Sequence, residues 1–219
     1  MKALVAGATG RTGRRIVEVL HEKQIPLRAL VRDLDKGKQE LPAGIELVQG
    51  DVGDRASLEA AIADCTVLLC ATGASPSLDP TGPYRVDYLG TQNLIAVSQA
   101  AGIEQFVLVS SLCVSQFFHP LNLFWLVLYW KLQAEIKLKS SGLTYTIVRP
   151  GGLLEESNDE PLRLEPADTL FDGRIPRRRV AEVAVEALFQ PAAQNRVVEI
   201  VTTPDVPAMT WEELFARVA

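Results

Sequence analysis

Apolar residues along this chain fall in short, nearly continuous runs at 3–6, 27–31, 45–48, 67–71, 106–109, 145–148 and 197–201. Continuous rather than alternating runs are the pattern of strands buried on both faces. Between them, apolar positions recur at helical spacing: Ile16, Val17 and Leu20 after the first run, Leu58, Ala61 and Ile62 after the third, then Val86, Leu89, Leu94 and Val97 within 84–101, and a further helix over 180–189. Alternation of the two patterns predicts an α/β fold: one doubly wound parallel sheet of Rossmann type, about seven strands in the order 3-2-1-4-5-6-7, helices on both faces, in a single domain. Asp54 is placed to cap the third helix, and Thr210 with Glu213 forms a capping box that opens a last helix.

Two stretches break the pattern. Residues 152–176 hold acidic residues and prolines with little periodicity, so they read as a surface loop or small irregular lobe. Residues 123–130 are unbroken apolar, but eight residues fall short of the roughly 20 that cross a bilayer, and His119, Pro120 and Asn122 interrupt the run upstream. The 117–130 segment is therefore read as the start of a buried helix; a dimer face or a surface that meets a protein or membrane partner are the alternatives.

Composition narrows the class of molecule. A chain of 219 residues, 47% hydrophobic, can build one substantial core. Net charge is −5 and the densest basic run is three arginines at 177–179, which excludes a nucleic-acid surface. Cys65, Cys70 and Cys113 lie in or beside apolar runs without metal-ligand spacing, so buried reduced thiols and no metal site are expected. The N-terminus enters the first strand at once with no signal-peptide pattern, from which a cytoplasmic protein is expected.

The candidate chemistry begins at Leu4–Gly13, L-V-A-G-A-T-G-R-T-G. Gly7, Gly10 and Gly13 follow a strand and lead into a helix; such a turn lets backbone N–H groups from Gly7 through Thr9, Gly10, Arg11, Thr12 and Gly13 approach a pyrophosphate, with the helix N-terminus favouring the anion. Arg32 ends the second strand where an acidic residue would bind the ribose 2′-hydroxyl of NAD, and an arginine there suits a 2′-phosphate. NADP(H) is thus expected in preference to NAD(H), with Arg11 closing on the same phosphate. Asp33 stands one residue later. Were the strand longer, Asp33 would meet the ribose and Arg32 would be a solvated charge.

These residues, with V-R-D at 31–33, G-D-V at 50–52, S-S at 110–111, W-K-L-Q-A-E at 130–135 and S-G-L-T-Y-T-I-V-R-P-G-G-L at 141–153, resemble atypical members of the short-chain dehydrogenase/reductase superfamily. The likeness is closest to cyanobacterial and plastid NADP-binding proteins related to the Rossmann domain of Tic62, with biliverdin reductase B, a flavin reductase, more distant. The resemblance implies Asp51 and Val52 beside the adenine, Ala71, Thr72 and Gly73 along the ribose and phosphates, and Pro150, Gly151 and Gly152 near the nicotinamide. It also implies that Lys131 holds the nicotinamide ribose. The tyrosine that the superfamily places four residues before this lysine is absent: position 127 is valine, and Tyr129 lies about 200° around a helix from Lys131. Arg179 stands where relatives carry aspartate.

Two functions of different class follow. The first is an NADPH-dependent reductase of a planar acceptor (flavin, quinone or tetrapyrrole), whose proton comes from water or the acceptor. Ser110, Ser111 and His119 are the residues nearest such an acceptor, and Ser110, Lys131 and His119 are the catalytic candidates; His119 equally suits a helix cap. The second is a non-catalytic NADP(H)-binding module that senses redox state and docks a partner. An epimerase would need the missing tyrosine.

Overall fold

A computed structural model describes residues 1–74 and 78–218. The expected strands are β1 (Ala3–Ala6), β2 (Leu27–Val31), β3 (Glu46–Gln49), β4 (Val67–Cys70), β5 (Gln105–Val109) and β6 (Tyr145–Pro150), followed late in the chain by β10 (Arg196–Thr202). They form a parallel sheet in the order β3-β2-β1-β4-β5-β6-β10, with β10 as the seventh strand. The crossover from β3 back past β1 to β4 creates the switch point at which open α/β sheets bind ligands.

Helices α1 (Arg11–Glu22) and α6 (Arg177–Glu186) cover one face, where Ile16, Val17, Leu20, Val180 and Val183 are buried against the strands. Helices α3 (Arg55–Ile62), α4 (Thr91–Ala101) and α5 (Val127–Lys139) cover the other, with Leu58, Leu94 and Leu138 in its core. Short helices α2 (Leu34–Glu40) and α7 (Trp211–Ala216) complete the layers. Asp54 caps α3 by accepting the Ala56 N–H at 3.1 Å, and Thr210 and Glu213 form the predicted capping box. The three cysteines are free and buried, and burial pushes their thiols up.

Three expectations need correction. Residues 152–176 are not an irregular lobe but extend the sheet: β8 (Leu162–Pro166) runs antiparallel to β10, and β9 (Arg174–Pro176) joins β10 to β7 (Gly152–Leu154). Only Leu162 and Leu164 alternate inward there, too short a signal to separate an edge strand from a loop. The predicted helix over 84–101 is π-wound in its first half, Tyr84–Gly90, before α4 begins. The 117–130 segment starts a buried helix only over its last four residues, where α5 opens at Val127 and Leu128 is buried; before it Phe118 is 96% exposed and Leu123 84%, with Phe117, Leu121, Phe124, Trp125 and Leu126 also exposed. An apolar run without helical period has no single face to bury.

Candidate functional site

The glycine turn joins β1 to α1 at the switch point. Gly7 has φ +80°, and a Cβ there would lie 2.7 Å from the Ala71 carbonyl oxygen, so the missing side chain lets the end of β4 approach. A Cβ on Gly13 would lie 2.0 Å from the Gly7 oxygen, which is why α1 can rest directly on the turn. Gly10 differs: its backbone is extended (φ −71°), and a Cβ would meet only the Gly7 oxygen, at 3.1 Å. Gly10 itself is exposed, and that one tight backbone contact is what a side chain there would meet. Among the described residues no side chain caps α1, and its first turn carries no acid, so the helix N-terminus is left available to an anion.

Strand β2 ends at Val31, which puts Arg32, exposed, first after the strand. Asp33 is committed elsewhere: its Oδ1 accepts the N–H groups of Asp35 and Lys36, at 2.9 and 3.1 Å, as the cap of α2. Asp51 accepts the Gly53 N–H at 2.7 Å, and Val52 is half-buried with its carbonyl held by Asn93 at 2.8 Å.

At the carboxyl ends of β4 and β5, Thr72, Asp87, Thr91, Ser110 and Lys131 line one narrow recess. Lys131 Nζ lies 2.7 Å from Asp87 Oδ1, and a Cβ on Gly73 would lie 4.0 Å from that ammonium. Asp87 is almost fully buried and its Oδ2 also accepts the Ala74 N–H. Burial works against the Lys131 charge, but the Asp87 carboxylate outweighs it and holds the ammonium above the ordinary lysine range. Asp87 gave no sequence signal, because the π-wound turn that aims it cannot be read from periodicity.

One turn along α5, buried Glu135 accepts the Ser110 hydroxyl at 2.5 Å and pairs with Arg149 at 2.7 Å. Arg149, itself buried, also reaches Glu199 at 3.2 Å and Asp168 at 3.0 Å. Lys131 and Glu135 therefore hydrogen-bond to different partners. Val127 opens α5, and Tyr129 packs edge-on against Phe117 and Trp130. His119 Nδ1 accepts the Leu121 N–H at 3.2 Å, so it caps the turn Pro120–Leu123. Pro150 is buried at the end of β6; a Cβ on Gly151 would lie 2.6 Å from the Gly173 oxygen, while Gly152 is exposed.

Over the glycine turn lie two residues the sequence reading passed over. Glu155 Oε1 accepts from Arg11 at 3.0 Å and from Arg177 Nε at 2.8 Å, and Arg177 also donates to Thr12 Oγ1 at 3.0 Å. Arg179, two residues on, pairs with Glu182 at 2.8 Å and stays apart from this cluster.

Comparison with known proteins gives the family. A family model described as NAD(P)H-binding matches residues 7–191. An uncharacterised chloroplastic protein of Arabidopsis thaliana is 44% identical over 99% of this chain and 82% of its own length. Protein TIC 62, chloroplastic, of the same plant is 36% identical over 98% of this chain, which spans only 38% of it. Sanguinarine reductase of Eschscholzia californica is 29% identical over 94% of this chain and 90% of its own. Among solved structures, a putative NAD-dependent epimerase/dehydratase from Bacillus halodurans superposes with a TM-score of 0.87 at 25% identity over all of both chains. The anaerobilin reductase ChuY from Escherichia coli O157:H7 does so with 0.77 at 26% identity, over 95% of this chain and 100% of its own. The cytoplasmic expectation is overturned by these plant relatives, which are themselves named chloroplastic. A chain that opens on its first strand carries no information about compartment.

Proposed function

The chain belongs to the NAD(P)H-binding family, and from that premise we propose that it binds NADP(H) in preference to NAD(H) and acts as an NADPH-dependent reductase of a planar acceptor, a flavin, quinone or tetrapyrrole. The observation that carries the reading is Lys131: it is kept, charged and aimed by Asp87, in a site where Val127 has replaced the proton donor. A pyrophosphate suits the glycine turn, because Gly10 is exposed without a side chain and α1 is uncapped beneath it.

In this reading the turn from Gly7 to Gly13 holds the pyrophosphate, Arg32 and Arg11 the 2′-phosphate, and Asp51 and Val52 the adenine. Ala71, Thr72, Gly73, Ser110 and Lys131 line the ribose, and Pro150, Gly151 and Gly152 the nicotinamide, which when bound supplies a hydride. Lys131 donates hydrogen bonds to ribose hydroxyls while Asp87 fixes its direction. No side chain at position 127 delivers a proton, so the acceptor takes it from water or already carries it, as planar redox acceptors can. Two relatives are named reductases, which supports the reaction class.

The test is NADPH oxidation by the purified protein across flavins, quinones and tetrapyrroles. Turnover with one class is expected. Tight NADPH binding without turnover of any class would instead favour the second reading, a non-catalytic NADP(H)-binding module that docks a partner. The exposed apolar residues of 117–126 speak for that alternative.

A further inference from the structure

Glu155 stands on the connection between β7 and β8, more than half exposed, yet one of its oxygens is shared by two arginines from opposite ends of the chain. Arg11 opens α1 and is 66% exposed; Arg177 opens α6 and is 10% exposed. Arg177 reaches Thr12 with the same guanidinium, so the Glu155 carboxylate is held beside the first turn of α1, the end of that helix which attracts anions. We propose that Glu155 is a stand-in for a cofactor phosphate, a carboxylate that Arg11 and Arg177 share in the free protein and that NADP(H) displaces. The proposal rests on the glycine turn being the phosphate seat.

Carboxylate and phosphate compete for a guanidinium because both offer paired oxygens to its fork of N–H donors. The Arg11 half of the bridge is exposed, so Arg11 releases Glu155 to a phosphate at little cost. The Arg177 half is buried, and a buried guanidinium that loses its anion must gain another. A bound pyrophosphate beside Thr12 supplies one. Arg177 thereby becomes a further cofactor contact, from a helix remote in sequence from the glycine motif. The two arginines hold the Glu155 carboxyl below its usual range, Arg177 most strongly, so the stand-in is an anion throughout neutral pH. Leaving requires no core movement, because the chain between Leu154 and Leu162 belongs to no helix or strand.

A residue that only aims the arginines and one that occupies their ligand's place predict opposite signs, and the Glu155→Gln variant reads that sign. Dissociation constants for NADPH and NADH are measured by fluorescence titration at 0.15 M salt, with thermal melting to confirm the fold. A competing carboxylate predicts NADPH binding tightened about two- to fivefold, and NADH binding tightened as well through Arg177, whose pyrophosphate contact needs no 2′-phosphate. Glu156→Gln, an exposed acid next in the chain, controls for net charge and should change binding by less than about 1.5-fold. Unchanged or weakened binding in Glu155→Gln overturns the proposal and leaves the cofactor reading standing, as does an equal gain in Glu156→Gln. A wild-type protein that binds neither cofactor overturns the phosphate seat and the proposal together.

Discussion

Arg32 and Asp33 stand side by side after β2, and the helix cap separates their roles. Because Asp33 accepts two backbone N–H groups of α2, Asp33→Ala is expected to cost about 1 kcal/mol of stability without altering cofactor choice. Arg32→Ala is expected to weaken NADPH about tenfold more than NADH, the loss of one charge-assisted contact. Equal losses for the two cofactors in a titration would remove Arg32 from the 2′-phosphate. Gly10→Val should keep its fold, since its backbone suits any residue and only the Gly7 oxygen must yield slightly, but should lose NADPH binding. Circular dichroism beside a binding assay checks both halves. At Lys131 the sign of the pH dependence follows from the direction of its shift. A lysine raised above its ordinary value contributes fully below that value and loses its effect only as pH climbs through the higher folded one. NADPH affinity should therefore be flat from pH 6 to 9, and Lys131→Met should lower it by about 0.5–1.5 kcal/mol across that whole range. A bend between pH 6 and 9 that the mutation abolishes would mean that Lys131 exchanges a proton there. These candidates could be picked from the sequence because each sits at fixed spacing from a strand end or a motif. Asp87, Glu155 and Arg177 were not, because each earns its place through a partner distant in sequence.

At the scale of elements, the entrance to α5 shows what periodicity can and cannot say. Trp125 and Leu126 both lie in the left-handed region, φ +57° and +58°, so the helix cannot begin before Val127. Asn122 then does the work of a cap at a distance: its Oδ1 accepts the N–H groups of Leu128 and Tyr129, at 2.9 and 3.1 Å, and its Nδ2 donates to the Phe117 carbonyl. Asn122→Ala should cost about 1–2 kcal/mol and speed hydrogen exchange over 117–129 while leaving the sheet's protection unchanged. Loss of protection spread evenly over β4 and β5 would show that Asn122 supports the whole fold and not this entrance. The apolar residues before α5 were expected to be buried, and exposure now makes a different demand. Phe118→Ser with Leu123→Ser should leave the melting temperature nearly unchanged, since surface substitutions typically shift stability by less than about 0.5 kcal/mol. The order of the parallel strands, by contrast, was largely legible, because each announces itself as a short apolar run, even β3 at the edge, where no residue is fully buried. The edge strands of 152–176 were hidden, since a strand covered on one side by a single leucine pair resembles a loop.

Across the whole molecule, one buried arginine ties the late edge strands to the rest. Arg149 of β6 faces Glu135 of α5 and Glu199 of β10, both almost fully buried, and Asp168, which is half exposed. Glu199 in turn accepts the backbone N–H groups of Asp168, Thr169 and Leu170, so the chain between β8 and β9 hangs from the sheet through this cluster. Arg149 is the guanidinium that the three carboxylates share; Arg149→Met would leave two buried carboxylates without it and should cost about 3–5 kcal/mol. A loss below about 1 kcal/mol in denaturant unfolding would show that the carboxylates find other partners. Asp168 is the member open to solvent and sets how the cluster answers acid. Burial raises its carboxyl, but the hydrogen bond from Ser115 and the charge of Arg149 outweigh that and hold it below the ordinary aspartate range. A lowered folded value means stability that is present above the unfolded aspartate pKa, about 3.9, and lost as pH falls through the folded one. Asp168→Asn preserves the left-handed backbone that asparagine tolerates (φ +61°) and removes only the charge. The wild type should therefore melt above Asp168→Asn at pH 6, with the gap closing as pH is taken below about 4 toward 2.5. The absence of a gap at any pH in that range would mean that Asp168 acts through its backbone turn alone, and that the ion pair with Arg149 contributes nothing to holding the edge strands in place.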